Sequence, residues 1–265
     1  MINNFNGSSS SNPVITRMSK YNDVMEGEKA SFASIGLKVG YFLAVIVLSV
    51  LAFFWLHSSL SGGGATFSDT EMAVYVCAMI GGVISALAAG FIPKTVPVFG
   101  TIYAACMGYT ITYTSYLLAA QYRGIVIEAL LLTVLIVAVM FLLYQTGIVK
   151  IGQKIRGIMY TALLATLIAG VIYFIVVLAA PNSALVRVIS SIQQGPLGIV
   201  FAFIGVLMGA FFVVDDFDYI TNIVKSGCSK KYEWYASYSL IISMIYLYVR
   251  VLRLLARIAS RSNNN

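Results

Sequence analysis

The sequence predicts an all-α membrane protein with seven transmembrane helices. Composition points there first: the 265 residues are 60% hydrophobic and 10% charged, with a mean hydropathy of +0.89. An ordinary globular chain is about half apolar and about a quarter charged. Length points the same way, because seven apolar runs lie near 39–57, 72–92, 97–120, 125–147, 157–180, 197–219 and 232–256. Each approaches the ~20 residues needed to cross a hydrocarbon core of ~30 Å. The pattern completes the case. Lipid cannot satisfy bare backbone groups, which leaves helices or a closed barrel, and the runs are continuous rather than alternating.

In chain order, residues 1–36 are expected to be a disordered cytoplasmic arm, 37–258 the seven-helix transmembrane domain, and 259–265 a polar tail. The arm contains NNFNGSSSSN and lacks the apolar centre of a secretory signal. The first run ends at the lone His57, expected to be solvated at the outer surface. Gly82, Ala86 and Gly90 recur every four residues in the second run, as do Gly100, Ala104 and Gly108 in the third. Gly205 and Gly209 form GxxxG in the sixth. Small residues at this spacing let membrane helices approach closely, so they are read as packing faces inside the bundle, with a dimer face as the alternative. Glu128, one turn into the fourth run, is read as snorkelling to the interface. Lys150 and Lys154 suit phosphate headgroups. Tyr232, Trp234 and Tyr235 suit interfacial anchoring. Cys77, Cys106 and Cys228 make no disulfide or metal pattern and are read as small buried residues.

Loop charge sets the orientation. Arg17, Lys20, Lys29 and Lys38 precede the first run, Lys94 follows the second, Lys150, Lys154 and Arg156 follow the fourth, and Lys225, Lys230 and Lys231 follow the sixth. The alternate loops hold no Lys or Arg (the first), Arg123 (the third) and Arg187 (the fifth). The positive-inside rule therefore places the N-terminus in the cytoplasm, and the net charge of +7 reads as anchoring rather than nucleic-acid binding. Arg250, Arg253, Arg257 and Arg261 contradict this, because seven crossings leave them outside. Seven full crossings are expected, with a re-entrant last segment as the alternative.

The sixth run ends in FFVVDDFDYI. Asp215 and Asp218, three apart, share a helix face, and Asp216 points about 100° away. Three adjacent carboxylates repel, and burial disfavours their charged form, so one of them can act as a proton switch. Together they can also hold a hard cation such as calcium through oxygen ligands. A solvated helix end is the plain alternative. The turn SGCSK at 226–230 makes the last two runs a hairpin, which puts Asp216 level with about Ile241, between Ser239 and Ser243.

Several stretches resemble the Bax-inhibitor-like membrane proteins (the transmembrane Bax inhibitor motif superfamily), in their bacterial branch. They are NPVITRM at 12–18, YRGIVIEALLLT at 122–133, LYQTGIVKIGQKIRG at 143–157, VVDDFDYI at 213–220 and EWYASYSLIISMIYLYVRVLRLLARI at 233–258. The resemblance implies seven helices with the last enclosed by the other six, and a pH-sensitive calcium leak in the bacterial plasma (inner) membrane. It also implies a switch built from an aspartate on helix six and another on helix seven. Asp216 matches the first. The second position falls at about Ser243, beside Met244, so the pair is incomplete here. Asp215 or Asp218 is then the local candidate for the second carboxylate.

Two function classes follow. One is a passive cation pathway gated by protonation, with Asp216 as sensor, Asp215 and Asp218 as proton partners or tentative calcium ligands, and Ser239 and Ser243 facing them. The other is a non-transporting regulator that binds other membrane proteins in stress or proteolysis control. The partners expected are the lipid bilayer, calcium ions as the transported species rather than a cofactor, and such membrane proteins, with no nucleic acid. An enzyme is not expected. No GxGD, HExxH or phosphate-binding loop occurs, and no mid-helix lysine in the last run suits a Schiff base.

Overall fold

The computed structural model describes residues 29–61, 67–149, 152–180 and 183–262. The remainder, including most of the expected N-terminal arm, NPVITRM and Lys150, lies outside the described residues. Among the described residues eight α-helices follow in order: α1 Phe32–Ser61, α2 Asp69–Phe91, α3 Val96–Gln121, α4 Ile125–Gln145, α5 Gln153–Ala179, α6 Ala184–Gln194, α7 Pro196–Lys225 and α8 Lys231–Ser262. A 3₁₀ turn, Pro93–Thr95, joins α2 to α3. Among the described residues there is no strand, only an isolated antiparallel bridge between Lys29 and Ser229. With Ala30 N–H donating to the Cys228 carbonyl at 2.9 Å, it clips the segment before α1 to the α7–α8 turn.

All seven expected runs are helical. Six of them (α1, α2, α4, α5, α7 and α8) are long and apolar enough to cross a membrane. The exception is α3, diluted by Thr101, Thr110, Thr112 and Thr114. Those hydroxyls donate to the carbonyls of Pro97, Cys106, Gly108 and Thr110 one turn back, at 2.6–2.9 Å. Each of these four threonine hydroxyls is thereby satisfied within its own helix. The eighth helix, α6, is an addition to the sequence expectation, which left residues 181–196 as a loop. It is short and amphipathic, and Ser183 caps it by accepting from Val186 N–H at 3.4 Å.

The core lies along the α7–α8 hairpin. Val206, Val213, Ile220 and Ile223 of α7 meet Ala236, Leu240, Leu247 and Val251 of α8, with Ile125 and Ala129 of α4 closing the same cluster. A second cluster joins Phe42 of α1, Val96, Tyr103 and Ala104 of α3, and Tyr238 and Ile241 of α8. A third gathers Phe53, Tyr109 and Tyr113 near the other end. The last helix packs chiefly against α1, α3, α4 and α7. Its enclosure is therefore by four principal neighbours rather than the six expected. On α5, Met159 is the buried apolar residue among those described, so α5 stands at the margin.

The small-residue ladders work inside the bundle. A Cβ on Gly108 would meet Ser49 Cβ at 2.9 Å, one on Gly100 would meet the Phe42 ring at 3.1 Å, and one on Gly209 would meet Leu247 Cδ1 at 3.0 Å. Gly90 is the exception, with open space around it. The expected interfacial aromatics also turn inward. Trp234 stacks edge-on with Tyr41 and Phe42 and lies under the Lys38 ammonium, and Tyr235 packs against Tyr219. Cys106 and Cys228 are partly buried, whereas Cys77 is exposed on the outer wall of the bundle.

Candidate functional site

The three aspartates occupy the C-terminal half of α7, where the helix is best buried. Val213 and Val214 just before them are essentially inaccessible. Asp216 lies nine residues before Lys225, the last residue of α7, about 14 Å along the axis. Asp215 and Asp216 are buried, whereas the Asp218 side chain is 38% exposed.

The carboxylates do not converge. Asp216 faces α8: Ser239 donates to its Oδ1 in a short hydrogen bond, and Ser243, one turn further, faces the same carboxyl group. Its Oδ2 is buried and lacks a partner of good hydrogen-bond geometry. The tight α7–α8 turn sets this register, so Asp216, Ser239 and Ser243 meet at the depth the hairpin reading expects. Asp215 faces α5. Its Oδ1 lies 2.5 Å from Arg156 Nη2, and its Oδ2 accepts from the Tyr160 hydroxyl at 2.9 Å. Asp218 Oδ2 accepts from the same Arg156 nitrogen at 3.0 Å and from Asn222 at 3.1 Å.

The expectation of one calcium-binding cluster is therefore not met. Among the described residues no three acidic, histidine or cysteine side chains come together in a way that could hold a metal ion. The physical reason is the guanidinium, which occupies the space between Asp215 and Asp218 and supplies the opposing charge itself. Asp216, directed to the other side of α7, is left with hydroxyls and no cationic partner among the described residues. A buried carboxylate in that setting is costly to ionise, and such groups inside a membrane helix are functional candidates by default.

Two further polar clusters escape the sequence reading. His57 is buried, not solvated. Its Nδ1 lies 2.7 Å from Glu71 Oε1 and its Nε2 3.2 Å from the Tyr116 hydroxyl, with Phe53 stacked on the ring. Glu71 also closes a capping box, its Oε2 accepting from Ser68 N–H at 2.7 Å. The pattern Ser68-Asp-Thr-Glu71 carried that signal. At the opposite end, fully buried Glu233 pairs with Lys38 and accepts from Ser34 Oγ at 2.6 Å and Ser31 N–H at 2.9 Å. Arg156 was counted only as a positive loop charge, and nothing local in IGQKIRG distinguishes a headgroup anchor from a partner for α7. Glu128 is exposed near the start of α4.

The model of the family described as Bax inhibitor 1 like matches residues 12–260, from the N-terminal arm to the end of α8. No curated protein and no solved structure gives a match. A span of that extent, over an integral membrane bundle of this kind, makes the chain a member of the Bax inhibitor 1 like family.

Proposed function

We propose that the protein is a passive cation pathway in the bacterial plasma membrane, carrying calcium and gated by protonation of carboxylates on α7. The observation that carries this reading is Asp216: a buried carboxylate, one oxygen held by Ser239 and the other without a partner of good hydrogen-bond geometry, on the contact face of the two best-packed helices. Ionised, it attracts a cation to the α7–α8 seam; protonated, it is a neutral hydrogen-bonding group. Asp215 and Asp218 do the complementary job on the α5 side, where protonation removes the charge that holds Arg156. This replaces a two-aspartate latch between the last helices with one aspartate against serines and an arginine tether to α5. The topology that goes with it has α3 as a seventh span, the N-terminus in the cytoplasm, and the end of α8 outside.

Calcium flux into liposomes made with the purified protein tests it. Flux rises as Asp216 ionises, so it increases with pH, and Asp216→Asn flattens the dependence. An unchanged pH profile in Asp216→Asn removes Asp216 as sensor. Absence of flux in wild-type liposomes, with membrane proteins co-purifying, favours the regulator reading instead. Gly157 and Gly170 on α5, both with open space where a side chain would be, would give such a partner helix close access.

A further inference from the structure

We infer that the far end of the α7–α8 hairpin holds a binding site for the phosphate of an anionic phospholipid headgroup. A cavity of about 280 Å³ lies there, lined by Gly198, Phe201 and Ala202 of α7 and by Arg250, Arg253 and Arg257 of α8. Spacings of three and four residues put the three guanidinium groups on one face over two turns. Among the described residues no carboxylate pairs with any of them. Their own contacts only position them: Arg257 donates to the Gly198 carbonyl, and Arg250 lies 4.8 Å over the Tyr246 ring. Gly205 gives Arg250 its room, since a Cβ there would sit 2.9 Å from Arg250 Cδ. Three like charges around one small polar cavity repel unless an anion joins them, and the planar fork of arginine suits phosphate oxygens. The first turn of α7, the positive end of its helix dipole, borders the same space.

Depth favours a lipid as the source of the phosphate. Arg250 lies 19 residues beyond Lys231 along α8, about 28 Å, the thickness of the hydrocarbon core. Immediately before α7, α6 packs against that helix while exposing Leu185, Val188 and Ile192 along one face. An amphipathic helix of this kind lies in the plane of the membrane interface. The arginines that contradict the positive-inside count are thus placed where headgroups are.

The test uses the full chain in mild detergent, with bound lipid counted by native mass spectrometry during titration with dioleoyl phosphatidylglycerol, dioleoyl phosphatidylcholine or inorganic phosphate. Wild type binds the glycerol lipid in preference to the choline lipid. Arg253→Gln with Arg257→Gln weakens that binding by roughly 30-fold, the effect of two basic residues near an anionic lipid. Phe201→Glu, at the exposed mouth of the cavity, keeps all three arginines but gives them an internal carboxylate, and also displaces the lipid. Because Phe201 is exposed, this variant serves if the arginine pair proves necessary for folding. Equal retention of the two lipids, or wild-type binding by Phe201→Glu, overturns the site. Displacement of the glycerol lipid by equimolar inorganic phosphate overturns its assignment to lipid.

Discussion

Replacing Arg156 with Met removes the cation that Asp215 and Asp218 share and leaves Asp215 with the Tyr160 hydroxyl alone. The magnitude follows from exposure. The Asp215 side chain is 10% exposed and Arg156 25%, close to the buried limit, where losing one partner costs about 3–5 kcal/mol. Asp218, at 38%, belongs to the surface class and adds at most about 1 kcal/mol. Arg156→Met should therefore destabilise by about 3 kcal/mol. Asp215→Asn alone should cost less, about 2 kcal/mol, because Arg156 keeps Asp218. The double variant is decisive. Independent effects would sum to about 5 kcal/mol, whereas removing both partners leaves no orphaned charge and should cost about 3, a coupling of about 2 kcal/mol. Reversible unfolding in mixed micelles, followed by Trp55 and Trp234 fluorescence, measures all three. Additivity within about 0.5 kcal/mol would refute the tether.

Gly108→Ala places a methyl group 2.9 Å from Ser49 Cβ and 3.1 Å from the Ile46 carbonyl. The backbone cannot yield as a side chain can, so a loss of about 1–3 kcal/mol is expected in the same assay. Gly90→Ala, in open space, should lose nothing there. Glu71→Ala unmakes the His57 contact and half of the α2 capping box together. It should cost about 2–3 kcal/mol, and Glu71→Gln, which keeps a hydrogen-bonding group, should recover part of that. Burial pushes the Cys228 thiol above its usual range. Since the thiolate is the nucleophile, an impermeant maleimide should label it slowly at neutral pH and still be gaining rate above about pH 9. On the proposed topology that labelling occurs only from the cytoplasmic side, and labelling of intact cells would reverse the orientation.

The helices were legible because lipid imposes one simple requirement, and apolar runs of membrane length report it directly. The level of Asp216 against Ser239 was legible too, since a short turn between antiparallel helices leaves little freedom in depth. What stayed hidden was pairing across helices distant in sequence. Glu233 and Lys38 are 195 residues apart, and Asp215 and Arg156 belong to helices with no sequence signal of adjacency. Charge counting misread these residues as loop anchors because it assigns each cation to water or headgroups and has no place for a cation neutralised inside. His57 was misplaced for the same reason: an isolated histidine at the end of a run looks solvated until Glu71 and Tyr116 fold onto it. The α6 helix was missed because its apolar stripe is too short to register against a membrane-length scale.

On the proposed reading, the uneven packing of the bundle points to α5 as the element that protonation would release. Along α7 and α8 small and β-branched residues interlock at heptad-like spacing, and displacing either helix would expose the main core. By contrast, α5 buries Met159 alone among its described apolar residues, and Gly152, the residue that caps its start, offers no side-chain cap. Such elements sit at the low end of local stability. Two of its polar links to the bundle, Arg156 and Tyr160, end on α7 carboxylates. The Tyr160–Phe212 ring contact lies beside them. On the proposed reading, neutralising Asp215 and Asp218 thus withdraws a large share of what holds α5 while leaving the α7–α8 core intact. Cation entry on the Asp216 side and helix release on the Asp215 side are then two outputs of one carboxylate-bearing turn, and Arg156→Met should weaken the second without silencing Asp216.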